Sequence, residues 1–385
     1  MKIIRYAMTM AAGLGLMLGA ANAETLRIGV ISPLTGGAAP WGNAMAEAAR
    51  QAASDANAKG GLKIGDKTYT VEVFAYDDQY KAADAVAAYN RLTTQDGVRF
   101  MGVLASASTL ALRDTVEADK NIMLTSSGIE KSVDPKSRYI FRMLSILREF
   151  VPATIRWVKD NQKERKVAIL NPNDESGWYS TEISKTNYVK YGFDVVSSEL
   201  FERSLKDFAP LLTRVLATNP EIIELASVPP ATAGLIVRQA RELGYKGIFV
   251  KDAGSAVKEI VETAGKEGAE GTISLHYADP TSDGYKRLAE VYRAKFGQNP
   301  DDLIVVYYDA FNALLQAIHE AGTVDDTTKV SDAMFTKVFP FKSILGTDLA
   351  LGGSNGLPGD PNQIITWSYI SKIENGQPVI VGKVR

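Results

Sequence analysis

The chain has 385 residues, of which 45% are hydrophobic and 23% charged, and its formal net charge is −2. This length exceeds what a single hydrophobic core usually holds, so the sequence predicts two lobes. Cysteine is absent, and the two histidines, His276 and His319, lie far apart. Disulfides, a cysteine nucleophile and thiolate or histidine-built metal sites are therefore excluded. Basic clusters are short and mixed with acids, which argues against a nucleic-acid partner.

The N-terminus has the pattern of an export signal. Lys2 and Arg5 precede an apolar run at residues 7–20 that is too short to span a bilayer, and residues 21–23 form a small-x-small cleavage site. We therefore predict a signal peptide over residues 1–23 and export to the periplasm. Its removal takes away two bases and no acid, which lowers the net charge from −2 to −4.

The mature chain alternates apolar, β-rich runs with amphipathic helical stretches. Such βαβ alternation is typical of parallel sheets, and it occurs twice, so we predict an α/β protein with two Rossmann-like lobes. The first series of strands is predicted at residues 25–31, 68–76, 99–104, 121–125 and 139–143. The second series is predicted at residues 166–170, 193–199, 221–226, 247–250 and 271–275.

Two helices predicted at residues 284–296 and 303–321 arrive together with little strand between them, so we expect them to return to the first lobe. The tail is rich in Gly, Pro and Asn and then becomes strand-like, which indicates a last crossing back. We predict a three-crossing hinge near residues 144–146, 277–279 and 347–351. The N-terminal lobe would then hold residues 24–144 and 278–347, and the C-terminal lobe residues 145–277 and 348–385.

Two facing parallel sheets place the loops at the carboxyl ends of their strands around one crevice. After the strand ending at Leu104, hydroxyls crowd a predicted helix N-terminus, where free N–H groups suit a carboxylate. The alternative is that one of these hydroxyls only caps the helix. The next loop repeats the pattern, with a plain turn as its alternative. These N-terminal candidates are Ser106, Ala107, Ser108, Thr109, Ser127 and Gly128.

Apolar and aromatic residues in the same loops are candidates for the wall around a ligand. Trp41 lies where the first strand becomes a helix, and it could either stack on a ligand or pack at the lobe edge. Trp178 could instead begin an ordinary helix face, and Asp252 could cap a helix beginning near Ser255. The C-terminal candidates are Ser176, Trp178, Val228, Pro229, Asp252 and Ala253.

Patterns of catalysis are missing from the sequence. The pattern G-x-S-x-G occurs only at residues 352–356, in the Gly-rich tail and not between a predicted strand and a predicted helix, so it does not form a nucleophile elbow. There is no S-x-x-K with a matching serine motif, no P-loop, and no G-x-G-x-x-G after the first strand. Asp77 and Asp78 are adjacent at a strand end and point to different sides, so we assign them turn and packing roles. We expect no enzyme activity, no cofactor and no metal.

Several loop motifs together carry a family resemblance. The motifs are SPLTG at residues 32–36 with WG at 41–42, NAKGG at 57–61, YDD at 76–78, SAST at 106–109, and RQAR at 238–241 followed by Gly244. Over essentially the whole mature chain, this pattern resembles the periplasmic solute-binding proteins of the branched-chain amino acid type. The resemblance implies a type I periplasmic binding fold, in which two lobes close on a solute like a Venus flytrap. It also implies delivery to an ABC permease and its ATPase in the inner membrane, with a monomer as the default state.

The resemblance also bears on the ligand. In amino-acid binders of this family, a serine matching Ser106 holds the ligand carboxylate, and an acid matching Ala253 pairs with the ammonium. The family's threonine in the loop that contains Ser127, which helps to bind both carboxylate and ammonium, aligns with Ile129. Unless Asp252 replaces the missing acid, a buried ammonium would stay unpaired at a cost of several kcal/mol. We therefore predict an aromatic or 2-oxo acid as ligand, with an amino acid as the alternative; a sensor role and an exported enzyme are the remaining hypotheses.

Overall fold

The computed structural model describes residues 24–352 and 360–384, and the predicted signal peptide lies outside these ranges. The first lobe is built on a six-stranded sheet in the order β2-β3-β1-β4-β5-β6, parallel except for the edge strand β2. Strands β4 and β5 are continuous apolar runs that are buried on both faces, because helices cover both sides of the sheet. The strands are β1 (Glu24–Ser32), β2 (Leu62–Ile64), β3 (Lys67–Asp77), β4 (Phe100–Val103), β5 (Ile122–Thr125) and β6 (Ile140–Arg142).

Helices from two distant parts of the chain cover this sheet. The first group consists of α1 (Ala39–Ala58), α2 (Ala82–Thr94) and α3 (Ser106–Asp119), with a 3₁₀ turn at Glu130–Ser132. The second group consists of α9 (Asp283–Phe296), α10 (Leu303–Ala321) and α11 (Thr327–Thr336). Helix α10 is apolar on nearly all sides and packs along α1, so this late segment belongs to the core of the first lobe.

The second lobe is built on a seven-stranded sheet in the order β16-β15-β11-β10-β9-β7-β8. Five strands are parallel, whereas β15 and β16 add an antiparallel edge. Strand β15 lies in the tail that was predicted to be strand-like, and β16 was not predicted. The helices of this lobe are α4 (Leu147–Asn161), α5 (Glu175–Lys190), α6 (Ala209–Leu216), α7 (Pro230–Glu242) and α8 (Val257–Ala269). The strands are β7 (Lys166–Pro172), β8 (Asp194–Phe201), β9 (Ile222–Glu224), β10 (Ile248–Lys251), β11 (Ile273–His276), β15 (Ser368–Glu374) and β16 (Gln377–Val384).

A small antiparallel sheet precedes the last passage between the lobes. It consists of β12 (Phe341–Lys342), β13 (Asp348–Leu351) and β14 (Ile364–Ile365). The Arg142 amide at the end of β6 donates to the Asn362 carbonyl at 2.8 Å, and the Arg142 guanidinium pairs with Asp360 at 2.9 Å. Residues 360–363 therefore stay attached to the first sheet, and the chain reaches the second sheet only after β14, later than residues 347–351.

A glycine in each lobe brings the first helix against the end of the first strand. A Cβ on Gly42 would lie 2.0 Å from the Pro33 carbonyl oxygen, and a Cβ on Gly177 would lie 1.7 Å from that of Pro172. Only glycine permits this approach in either lobe. The residues directly before the two glycines, Trp41 and Ser176, consequently both face the space between the lobes.

None of the helices within the described ranges is long and apolar enough to cross a membrane.

Candidate functional site

A cavity lies between the two lobes, and the empty space within it, including the part open to solvent, is about 580 Å³. Its surface combines aromatic rings, leucine side chains and serine hydroxyls. The described part of the lining contains no acidic or basic side chain. The lining residues are Trp41, Tyr80, Leu104, Ser106, Ser126, Gly128, Leu144, Leu147, Phe150, Ser176, Ser227, Ala253, Gly254, Tyr277, Leu303 and Tyr307.

Hydrogen-bond donors gather at the N-terminal end of α3. The helix begins at Ser106, earlier than predicted, and Ala105 precedes it without a side-chain cap, so the capping alternative is wrong. The Ser127 hydroxyl donates to the Ser106 hydroxyl at 2.9 Å, and both side chains are almost completely buried. Because the first-turn N–H groups and the helix dipole favour negative charge, this end of the cavity suits a carboxylate.

The other residues of this turn lie behind the lining. The Ser108 hydroxyl donates to an Asp78 carboxylate oxygen at 2.7 Å, and the Thr109 hydroxyl lies 2.7 Å from that of Thr125. Ala107 is half-buried and does not line the cavity. These predicted candidates therefore support the loop geometry, whereas Ser106 reaches the cavity surface.

Asp77 and Asp78 hold a turn that carries Tyr80 across the mouth of the cavity. The amide of Gln79 donates to Asp77 at 2.9 Å, and that of Tyr80 donates to Asp78 at 3.0 Å. These bonds offset two consecutive positive φ angles, 47° at Gln79 and 64° at Tyr80. The turn role predicted for the two aspartates is confirmed.

Tyr80 contacts the second lobe at two points. Its hydroxyl lies 3.4 Å from the Ser176 hydroxyl, and the Arg203 guanidinium stacks 3.8 Å from the centre of its ring. Arg203 is in turn hydrogen-bonded to the Asp174 carboxylate, which caps α5. We call the stacked side chains of Tyr80 and Arg203 the interlobe latch, since each comes from a different lobe.

Asp252 is turned away from the cavity. It is fully buried, and neither of its carboxyl oxygens has a hydrogen-bond partner within the described residues. Burial raises the pKa of Asp252 to about 6, and burial together with the neighbouring Asp252 charge holds the pKa of Glu224 well above its ordinary value. Helix α8 begins at Val257 without a cap from Asp252, so its proposed capping role is also wrong.

Three more of the predicted residues lie outside the lining. Trp178 is 50% exposed, and its indole N–H donates to Asn173 at 2.9 Å on the outer surface of α5. Val228 is fully buried in the core of the second lobe. Pro229 precedes α7 and lies in a groove outside the cavity.

The sequence reasoning missed several residues of the lining. Ser227 lines the cavity where the neighbouring Val228 was predicted, and β9 ends at Glu224, two residues before the predicted end of the strand. Tyr277 follows β11 at the hinge, and Tyr307 comes from α10, where its hydroxyl lies 2.9 Å from that of Ser126. No local signal distinguishes these tyrosines from ordinary core residues, and Tyr307 reaches the cleft only because α10 returns to the first lobe.

Two α/β lobes with one neutral cleft between them define a bilobed solute-binding protein. Residues 25–377 match the model of the periplasmic binding protein family, and the chain belongs to this family. It is similar to an "Amino acid binding protein" of Pseudomonas aeruginosa, with 30% identity over 83% of this chain and 84% of the relative.

Solved structures share the fold. The leucine binding protein LivK from Thermotoga maritima has a TM-score of 0.77 with 22% identity, over 94% of this chain and 99% of that chain. A solute binding protein of an ABC transporter from Rhodopseudomonas palustris BisB5, solved in complex with 3,4-dihydroxybenzoic acid, has a TM-score of 0.75 with 22% identity, over 94% and 98%. The predicted fold and family are confirmed. The protein is a periplasmic binding protein and not an enzyme.

Proposed function

We propose that this protein binds a small carboxylate without an α-amino group, an aromatic or 2-oxo acid, in the cavity between its lobes. The observation that carries the proposal is the lining, which within residues 24–352 and 360–384 offers rings, aliphatic side chains and hydroxyls but no acid for an ammonium group. The ligand carboxylate would accept hydrogen bonds from Ser106 and from the first turn of α3, with Ser127 behind them. The aromatic rings would surround the ligand body.

The burial of Asp252 supports the exclusion of amino acids. An ammonium group in this cavity would lose its water without gaining a carboxylate partner, because Asp252, the acid of this loop, is fully buried and does not line the cavity. Leaving one partner of a buried ion pair uncompensated costs about 3–5 kcal/mol. Such a cost corresponds to at least a 100-fold loss of affinity.

The names of relatives point both ways. The Pseudomonas aeruginosa relative is described as an amino acid binding protein, which favours binding of an amino acid as the alternative function. The Rhodopseudomonas palustris protein with the same fold was solved with a hydroxylated benzoic acid. We favour the second class for this chain because of its neutral lining.

Matched ligand pairs separate the two functions in one titration series. Phenylpyruvate and phenylalanine share a ring and a carboxylate and differ at the α-position, as do 4-methyl-2-oxopentanoate and leucine. Isothermal titration calorimetry of the ligand-free protein should show that the oxo acid of at least one pair binds at least 100-fold more tightly than its amino acid. For an aromatic-acid binder, benzoates should instead bind at least 100-fold more tightly than both amino acids. Tighter binding of the amino acids in both pairs, with no binding of benzoates, would refute the proposal.

We also propose that the protein is exported, is a monomer and delivers its ligand to a permease. The signal peptide at residues 1–23 would direct export, and N-terminal sequencing of protein from the periplasm should begin at Glu24. The loaded, closed protein would dock as a monomer on an ABC permease driven by its ATPase. Gel filtration with light scattering checks the monomer, and uptake of the labelled acid in cells lacking the permease checks the partner.

A further inference from the structure

The cavity contains one buried donor without an acceptor. Trp41 lines the cavity and is 7% exposed, and its indole Nε1 has no hydrogen-bond partner anywhere in residues 24–352 or 360–384. The exposed Trp178, by contrast, donates its indole N–H to Asn173 at 2.9 Å. Leaving a buried N–H group without a hydrogen-bond partner costs about 1–3 kcal/mol of free energy. A ligand in the cavity that offers an acceptor to the indole N–H of Trp41 would remove this cost.

The edge of the indole that carries Nε1 faces the loop after β10. A Cβ added to Gly254 would lie 3.0 Å from Cζ2 and 3.3 Å from Nε1 of Trp41. Gly254 also has a φ of 69°, which suits glycine. The loop therefore brings bare backbone against the ring and leaves no side chain that could accept the indole hydrogen.

A buried cation lies beside the same ring. Lys251 Nζ is 5.5 Å from the centre of the Trp41 ring and donates to the carbonyl oxygens of Ala226, at 2.6 Å, and Ala253. These carbonyls belong to the two loops that form this wall, so Lys251 fixes the wall and occupies its backbone acceptors. A cation near the ring face also draws electron density from the indole and strengthens its N–H as a donor.

From this arrangement we infer a second polar subsite, in which Trp41 Nε1 binds an oxygen acceptor of the ligand apart from the carboxylate held near Ser106. The inference rests on the proposed function and narrows it. The favoured ligands are acids that carry a second acceptor oxygen, a 2-oxo group or a ring hydroxyl, and not plain hydrocarbon acids. The subsite offers no acceptor to an ammonium group, because the indole Nε1 of Trp41 is a donor only and Lys251 occupies the carbonyl oxygens of Ala226 and Ala253.

Two ligand pairs that differ by one oxygen test the subsite. Phenylpyruvate is compared with 3-phenylpropionate, and 4-hydroxybenzoate with benzoate, by calorimetry on the wild-type protein, Trp41→Phe and Trp178→Phe. We expect the oxygen to tighten binding at least about fivefold in one of the pairs in the wild type. Trp41→Phe should reduce that ratio to near one, whereas Trp178→Phe, the matched control, should keep it.

A second measurement covers the possibility that Trp41→Phe folds poorly. The protein has four tryptophans, so uniform ¹⁵N labelling gives a small set of indole resonances that can be assigned by single substitutions. The Trp41 indole proton should shift downfield on binding the oxygen-bearing acid and less on binding its partner. Equal shifts, or an affinity ratio that is unchanged in Trp41→Phe, would overturn the subsite while leaving the proposed function intact. Binding of leucine with no binding by any of the four acids would overturn both.

Discussion

Removal of a single hydroxyl at the α3 end of the cavity gives the sharpest test of where the ligand carboxylate binds. In Ser106→Ala the helix keeps its geometry, because alanine is a good helix former and Ser106 caps nothing. A hydrogen bond to a charged group contributes about 1.5–3 kcal/mol net. The Ser127 hydroxyl, which now donates to Ser106 at 2.9 Å, is released by the substitution and can turn toward the ligand, so the lower part of this range applies.

We therefore expect Ser106→Ala to lose about 1.5–2 kcal/mol of binding free energy, which raises the Kd of an aryl or 2-oxo acid about 10- to 30-fold. Calorimetry measures the affinity, and circular dichroism melting of the ligand-free variant checks that the fold is kept. Ser132→Ala is the matched control, since Ser132 is equally buried in the same lobe but donates to the Ile129 carbonyl outside the cavity. An affinity of Ser106→Ala within about threefold of the wild type would refute the assignment of this helix end to the carboxylate.

Three further substitutions probe the opposite wall, the interlobe latch and a buried acid. Ala253→Glu should weaken binding of an aryl acid at least about 10-fold through like-charge repulsion, and the neutral Ala253→Gln should weaken it less; equal losses in calorimetry would contradict the electrostatic reasoning. Arg203→Gln removes the stack on Tyr80, worth about 0.5–2 kcal/mol, so stopped-flow should show faster ligand dissociation with little change in association, while the surface variant Arg214→Gln behaves as the wild type. Burial raises the pKa of Asp309 to about 7, and since this exceeds the unfolded value, its contribution to stability is full at low pH and is lost as the pH rises through 7. Between pH 5 and 8 the wild type should lose up to about 3 kcal/mol of unfolding free energy relative to Asp309→Asn, measured by urea denaturation. A difference between the two proteins that is the same at pH 5 and pH 8 would contradict this prediction.

The strands that form the two sheets were predictable because both faces of a parallel sheet are covered. Strands such as β4 and β5 are then unbroken apolar runs, which stand out in the sequence. Strand β16, at an edge of the second sheet, alternates half-buried and exposed residues and carries Pro378, and so it gave no such signal. The third crossing between the lobes was predicted too early for a similar reason. Strands β13 and β14, which precede it, are short strands of a small sheet and have little hydrophobic pattern.

The site was predictable to the extent that topology determines it. Trp41, Ser106, Gly128, Ser176 and Ala253 all follow strand ends of the two series, and all five line the cavity. What sequence could not supply is which of two neighbouring side chains faces inward, because that depends on where a strand ends to within one residue. The reversal of roles between Ser227 and Val228 is an example.

In the loop after β10, electrostatics decides which side chain faces the cavity. Asp252 could have replaced the family's ammonium-binding acid only by facing the cavity, which would bury a carboxylate away from Glu224 and leave Lys251 without its nearest counter-charge. Asp252 instead lies behind the cavity wall, where Lys251 and Glu224 are also fully buried. Burial lowers the pKa of Lys251 there, and the Asp252 charge partly offsets this effect. The cavity wall then consists of Ala253 and Gly254, which have neither charge nor side-chain acceptor. The ligand preference we propose thus follows from a charge balance behind the wall as much as from the residues that line it.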